Sequence, residues 1–155
     1  MSDTFTVERS TSIKASAERI HAFLNDFRQW VDWSPWEGID DNLERTYSGP
    51  TSGVGAGYAW AGNRKVGSGS MVVTRSVPPL RLDIDLRFVK PFKAENKTEF
   101  HLVREDDGDS TRVVWTMSGK KTLMSKVMGL FMSMDKLVGR DFEKGLAKLK
   151  QLAEA

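Results

Sequence analysis

At 155 residues, with 39% hydrophobic and 28% charged residues, the chain has the composition of an ordinary globular domain, and residues 1–155 read as one domain around one substantial core. Its 23 Lys and Arg against 21 Asp and Glu leave a formal charge of only +2, so no global field calls for nucleic acid or an anionic membrane. The absence of cysteine excludes disulfides, thiolate nucleophiles and cysteine metal sites together. The N-terminus, MSDTFTVERS, has no basic segment followed by an apolar one, and no uncharged apolar run reaches about 18 residues. A cytoplasmic protein without integral membrane contact is therefore expected.

Taken in chain order, Phe5 to Ile13 has β-branched residues in partial alternation and reads as a strand. Ser16 then suits a helix N-cap and Glu18 a first turn, while Ile20, Phe23, Leu24 and Phe27 recur at helical spacing. This first helix breaks up around Asn25 to Trp30. Trp33 and Trp36 flank a proline that forbids a regular helix interior, so the next segment is a second short helix or turn packed by aromatics.

From Asn42 the apolar period shortens from 3.6 to 2 and turn signals crowd in, at Gly49-Pro50, Gly53 to Gly57, Gly62-Asn63, Pro78-Pro79, Lys90-Pro91 and Asp106 to Asp109. Between them lie six strands, Leu43 to Tyr47, Tyr58 to Ala61, Val66 to Val77, Arg81 to Val89, Glu95 to Arg104 and Thr111 to Gly119. The clearest is RLDIDLRF, where Leu82, Ile84, Leu86 and Phe88 face one way and Arg81, Asp83, Asp85 and Arg87 the other. That pattern belongs to a sheet with one wet face. Asp107-Gly108 is a hairpin signal making the last two strands antiparallel neighbours. With no helices between the strands, a βαβ architecture is excluded.

The last element runs from Ser133 or Asp135 to Glu154. Met134, Val138, Phe142, Leu146, Leu149 and Ala153 fill one apolar arc, with Gly145 inside it and Asp141 at its edge. Burying those side chains stabilises by about 10 kcal/mol as an upper estimate, so something concave must cover the helix. The fold class that follows is α+β, a seven-stranded antiparallel sheet curved around a long C-terminal helix, with two short helices after strand one. Leu82, Ile84, Leu86, Phe88, Phe100, Leu102, Val113, Trp115 and Met117 are expected to face Val138, Phe142, Gly145 and Leu149. Glycine costs about 1 kcal/mol against alanine in a helix and is tolerated most easily where the helix lines a space, so Gly145 is expected to leave volume. The preceding run, KKTLMSKVMGLFMSM, reads as a flexible apolar cover.

Five Trp, eight Phe and seven Met supply bulky, adaptable surface that serves a core or a ligand cavity equally well. The candidate lining is Trp33, Trp36, Tyr58, Trp60, Met71, Phe88, Phe92, Phe100, Trp115, Met117, Met124, Met128, Phe131, Phe142, Gly145 and Leu149. For catalysis, Asp141 is the ionisable residue best placed for general acid–base work, with Arg45, Tyr47 and Tyr58 as loose companions; a solvent-facing Asp paired with a basic neighbour, and an edge-strand Arg and Tyr, are the plainer alternatives. Two histidines, His21 and an outward-turned His101, have no HxxxH or HxxE partner, so no metal is expected. No nucleophile elbow or Ser–His spacing occurs. Gly53-Val-Gly55-Ala-Gly57 lacks dinucleotide-loop spacing and precedes a strand, which leaves a glycine-rich turn or a flexible gate at a cavity mouth. Lys136, Arg140, Lys144 and Lys148 form a basic ridge expected to be a solvated outer face.

The element order, together with WSPWE, RTYSGP, GVGAGYAWAGN, KVGSGSM, RFVKPF, VVWTMSG, MSKVMGLFMSMDK and VGRDFEKGLAKLK, resembles bacterial polyketide cyclase/dehydrase-type proteins of the SRPBCC (START-like, Bet v 1-like) superfamily, from end to end. The resemblance implies a helix-grip fold with a deep hydrophobic cavity between the sheet and the last helix. Members include cyclases, lipid and sterol carriers, hormone-binding proteins and co-chaperone-like domains, and share no catalytic motif to carry onto numbered positions. The expectation is a domain that binds a lipid or polyketide-like small molecule, without a cofactor or nucleic acid, as a monomer or weak homodimer. A cyclase or dehydrase and a protein- or membrane-interaction module are the alternatives.

Overall fold

The computed structural model describes residues 4–36, 40, 42–63, 67–90, 93–120 and 134–155. Strand β1 (Thr4–Ile13) leads into helix α1 (Ala17–Asn25) and a 3-10 turn (Phe27–Asp32). Six strands follow, β2 (Glu44–Ser48), β3 (Gly57–Ala61), β4 (Ser68–Val77), β5 (Arg81–Lys90), β6 (Ala94–Glu105) and β7 (Ser110–Lys120), and then helix α2 (Met134–Glu154). All pairings are antiparallel, in the order β1-β7-β6-β5-β4-β3-β2. The chain thus meanders from β2 to β7 and closes back on its first strand, β1, which pairs with β7 from Thr4 opposite Lys120 to Ile13 opposite Thr111.

The side-chain period sets the faces. Leu82, Ile84 and Leu86 are buried, as are Phe100 and Leu102 on β6 and Val113, Trp115 and Met117 on β7. Asp85 and Arg87 point to water, and Arg81 forms paired hydrogen bonds with Asp83 on the outer face at 2.9 and 3.0 Å. Register shifts between Ser68 and Gly69 and between Val73 and Arg75 put bulges in β4, and bulges bend a strand. The sheet therefore curls rather than lying flat against the helix.

At the hairpin joining β6 to β7, Asp106 and Asp107 adopt positive φ of 50° and 55° and Gly108 one of 95°, the tight reversal that the Asp-Gly pair signals. The Ser16 hydroxyl accepts from the Arg19 N–H at 3.2 Å, which is the expected N-cap of α1. On α2, Phe142, Leu146, Leu149 and Ala153 are buried, while Lys136, Arg140, Lys144 and Lys148 stand exposed on the opposite side. The helix end is tied down by polar contacts as well. Lys150 Nζ donates to Ser12 O at 2.8 Å, the Lys14 N–H donates to Glu154 Oε2 at 2.8 Å, and Arg19 Nε donates to Ala153 O at 2.8 Å. The last contact satisfies one of the carbonyls that a helix terminus leaves open.

One expectation needs correction. Gly145 does not leave volume: a Cβ there would come within 2.9 Å of Pro35 Cδ and 3.1 Å of Trp115 Cζ3. The glycine is a close-approach position that lets the helix backbone press onto the sheet and the proline. The Gly53 to Gly57 loop, of the two readings offered for it, takes the form of a hydrogen-bonded glycine-rich turn. Gly55 N–H donates to Val73 O at 2.9 Å, Val73 N–H to Ala56 O at 3.0 Å and Gly53 N–H to Asn25 O at 3.3 Å. These bonds fasten the loop to β4 and to the end of α1.

Candidate functional site

A cavity of about 270 Å³ lies between the sheet and the N-terminal half of α2. Its sheet wall is built from Tyr58 and Trp60 on β3, Met71 on β4, Leu86, Phe88 and Lys90 on β5, Thr98 on β6, and Trp115 and Met117 on β7. The helix contributes Val138, Asp141 and Phe142, and the chain between α1 and β2 contributes Trp30, Ser34, Trp36 and Leu43. The lining is predominantly apolar and aromatic, as small-molecule sites generally are.

Local structure fixes these rings. The last carbonyls of α1 lack helical partners, and indole N–H groups supply them: Trp30 Nε1 donates to Leu24 O at 2.9 Å and Trp33 Nε1 to Phe23 O at 3.4 Å. That anchors the aromatic turn over the open end of the sheet. Phe142 of α2 stacks on Trp115 with centroids 3.9 Å apart and planes 6° from parallel, and Trp115 stacks in turn on Phe100 at 5.0 Å. Trp36 closes edge-on against both Trp115 and Phe142, at 6.0 and 6.4 Å. On the far wall Tyr58 stacks on Trp60 at 6.1 Å, and Trp60 meets Phe88 edge-on at 5.8 Å.

Of the residues singled out from the sequence, Trp36, Tyr58, Trp60, Met71, Phe88, Trp115, Met117 and Phe142 border the cavity, joined by Asp141. Trp33, Phe100, Gly145 and Leu149 are instead packed in the core behind it, since layered rings occupy the space they face. Phe92, Met124, Met128 and Phe131 lie outside the described residues, as does nearly all of the Met-rich run before α2. Arg45 is exposed and does not border the cavity. It pairs across with Trp60 and so shares its face, but β2 is an edge strand of the sheet. Tyr47 is half-buried beside Tyr58 at 5.4 Å, with the Arg28 guanidinium 4.6 Å from its ring centroid.

Trp30, Ser34, Leu43, Lys90 and Thr98 belong to the lining without having been singled out. For Thr98 the signal existed: two residues from inward-facing Phe100 on a strand, it must point inward, and it is 4% exposed. Asn96, one step further along that face, is also buried. Its side-chain oxygen and the Trp115 indole N–H find no partner among the described residues, each at a cost of about 1–3 kcal/mol.

The polar groups of the cavity are few. Ser34 and Thr98 are buried, Asp141 is half-buried and Lys90 exposed. Among the described residues no hydrogen bond or ion pair engages the Asp141 carboxylate. The histidines stand elsewhere. His21 is buried on α1, with Nε2 3.3 Å from the Arg81 carbonyl, to which it must donate; burial pushes its pKa below the usual value, and the hydrogen bond only partly opposes this. His101 lies on the outer face of the sheet beside Glu99 at 3.1 Å. Among the described residues no three His, Asp or Glu side chains converge as a metal site requires.

A curved antiparallel sheet gripping a C-terminal helix over an apolar cavity defines the helix-grip fold of Bet v 1-like proteins. Solved structures bear this out at the level of fold. The chain is similar to a major latex-like protein of Panax ginseng, with a TM-score of 0.68, 10% identity, and coverage of 99% of each chain. It is similar to an Aha1 protein of Colwellia psychrerythraea, solved as a dimer, with a TM-score of 0.62, 19% identity, and coverage of 97% of this chain and 96% of that one. A Chromobacterium violaceum protein gives a TM-score of 0.67 at 14% identity, over 99% of this chain and 98% of the other. No curated protein sequence matches the chain significantly. Residues 4–154 match the family described as polyketide cyclase / dehydrase and lipid transport, and the chain belongs to that family. Among the described residues no helix is long and apolar enough to cross a membrane.

Proposed function

We propose that residues 1–155 act as one cytoplasmic domain that takes up a hydrophobic small molecule, a lipid or polyketide-like compound, in the cavity between the sheet and α2. The observation behind this reading is the lining itself: rings and aliphatic side chains surround about 270 Å³, and among the described residues Ser34, Lys90, Thr98 and Asp141, with Tyr58, are the polar members. Transfer of an apolar body into such a space gains about 25 cal/mol per Å² removed from water. Native mass spectrometry after mild purification, with organic extraction and calorimetric titration across fatty acids, sterols and aromatic polyketides, tests it. A co-purified or titratable apolar ligand is the expected result. An empty protein that takes up no member of the panel would overturn the reading.

A second reading has one observation in its favour, an Asp141 carboxylate without a partner among the described residues, in the same cavity as Tyr58. The two would serve as the base and acid that aldol cyclisation or dehydration of a bound keto chain needs. Once a turned-over substrate is in hand, Asp141→Asn and Tyr58→Phe should each lower kcat by about a hundredfold, and unchanged turnover in both removes this reading. For a protein- or membrane-interaction role the exposed ridge of Lys136, Arg140, Lys144 and Lys148 is the feature to test. Charge reversal there should abolish any partner capture.

A further inference from the structure

The cavity does not treat the two signs of charge alike. Asp141, a half-buried residue, is the one acidic residue of the described lining, and its carboxylate has no partner among the described residues. The cationic residues nearest to it in sequence, Arg140 and Lys144, are exposed on the outer side of α2. A carboxylate partly removed from water is unfavourable unless something positive or hydrogen-bonding meets it.

The remaining walls are largely uncharged. Trp36, Tyr58, Trp60 and Phe142 border the same space, and an organic cation gains from contact with an aromatic ring face where one is within reach. Lys90, the one basic residue of the described lining, is exposed at the last position of β5, where water screens its ammonium. An anionic headgroup placed beside Asp141 would therefore meet a like charge, and a cationic one a complementary charge.

Building on the pocket reading above, we infer that the ligand is a hydrophobic amine or related organic cation, its ammonium held by Asp141 and its apolar body against the aromatic walls. The three N–H donors of an ammonium suit a carboxylate that has two free oxygens.

Calorimetric titration with decylamine, 1-decanol and decanoate, each below its aggregation concentration near neutral pH, separates charge from apolar burial because the three share one chain. Decylamine should bind about tenfold more tightly than 1-decanol, with decanoate weakest. Asp141→Asn, nearly isosteric, should bring decylamine down to the affinity of 1-decanol while leaving 1-decanol within about twofold of its original value. Retained decanol binding shows that the variant is folded with its pocket intact. Glu143→Gln makes the same change in net charge on the exposed side of the helix and should keep the preference for the amine. Equal binding of amine and alcohol by the unaltered protein, or a preference that survives Asp141→Asn, overturns the inference and leaves the apolar pocket standing. If none of the three binds, the pocket reading fails and takes the inference with it.

Discussion

Replacing Gly145 with alanine sets two effects of opposite sign against each other. Within a helix the change should gain about 1 kcal/mol, because alanine loses less backbone freedom on folding. The added Cβ, however, lies 2.9 Å from Pro35 Cδ and 3.1 Å from Trp115 Cζ3, inside ordinary contact for both. Neither neighbour yields readily: Pro35 is a rigid ring, and Trp115 is clamped between Phe142 at 3.9 Å and Phe100 at 5.0 Å. Overpacking of this kind costs about 1–3 kcal/mol. The net expectation is a destabilisation of about 1 kcal/mol, read as a lower urea midpoint at unchanged slope, or as a fall in Tm of about 2–4 °C. Gly139→Ala supplies the contrast. There the atoms in the way belong to the Arg9 guanidinium, the end of a flexible side chain, so the propensity gain should survive, leaving that variant neutral or stabilised by up to about 1 kcal/mol. If Gly145→Ala instead stabilises the protein as much as an exposed helical glycine does, the space above it is open and the packing argument is wrong.

Phe142→Ala should cost about 3–5 kcal/mol in urea unfolding, since it empties a fully buried site and removes one face of the Trp115 stack; a loss under about 1 kcal/mol would mean that the layered rings contribute little. Ser16→Ala should cost about 1 kcal/mol through loss of the cap on Arg19 N–H, measured the same way. His21, whose folded pKa is depressed by burial, contributes stability that is fully present above its usual value of 6.5 and is lost as pH falls through the lowered one. The urea midpoint should therefore decline on acidification below 6.5, before the carboxylate range near 4.5 is reached, and His21→Gln should flatten that slope. Met71→Trp should diminish uptake of any apolar ligand by filling the cavity, whereas Arg45→Ala, outside the lining, should leave titrated affinity within about twofold.

Strands β4 to β7 were legible because alternation over ten or more residues leaves one consistent assignment of faces, and their ends agree with the turn signals to within two residues. The β2 strand was harder. Alternation put Arg45 and Tyr47 on one face, but a short strand leaves open whether it is an edge or an inner wall; the structure makes β2 the edge strand with Arg45 exposed, the second of the two alternatives. The arc of α2 was plain from periodicity, yet the meaning of Gly145 was not. Whether a missing side chain opens a space or admits a neighbour depends on what stands opposite, and here that is Pro35 and Trp115, both remote in sequence. The same limit explains why Trp33 and Phe100 looked interchangeable with Trp36 and Phe88. Composition names the rings, and only their layering decides which ones border the cavity.

All five tryptophans stand in one network of ring contacts, with Phe27 joining Trp30 to Tyr58 and Trp60, and Trp30 and Trp33 are just 4.6 Å apart at an interplanar angle of 49°. Chromophores so close and so inclined couple their transition dipoles and exchange excitation before emitting. Four of the five, Trp30, Trp36, Trp60 and Trp115, also touch the cavity. The protein therefore carries its own optical reporter: filling the cavity should perturb near-ultraviolet circular dichroism and intrinsic emission together, because no indole there can shift without changing its neighbours' signal.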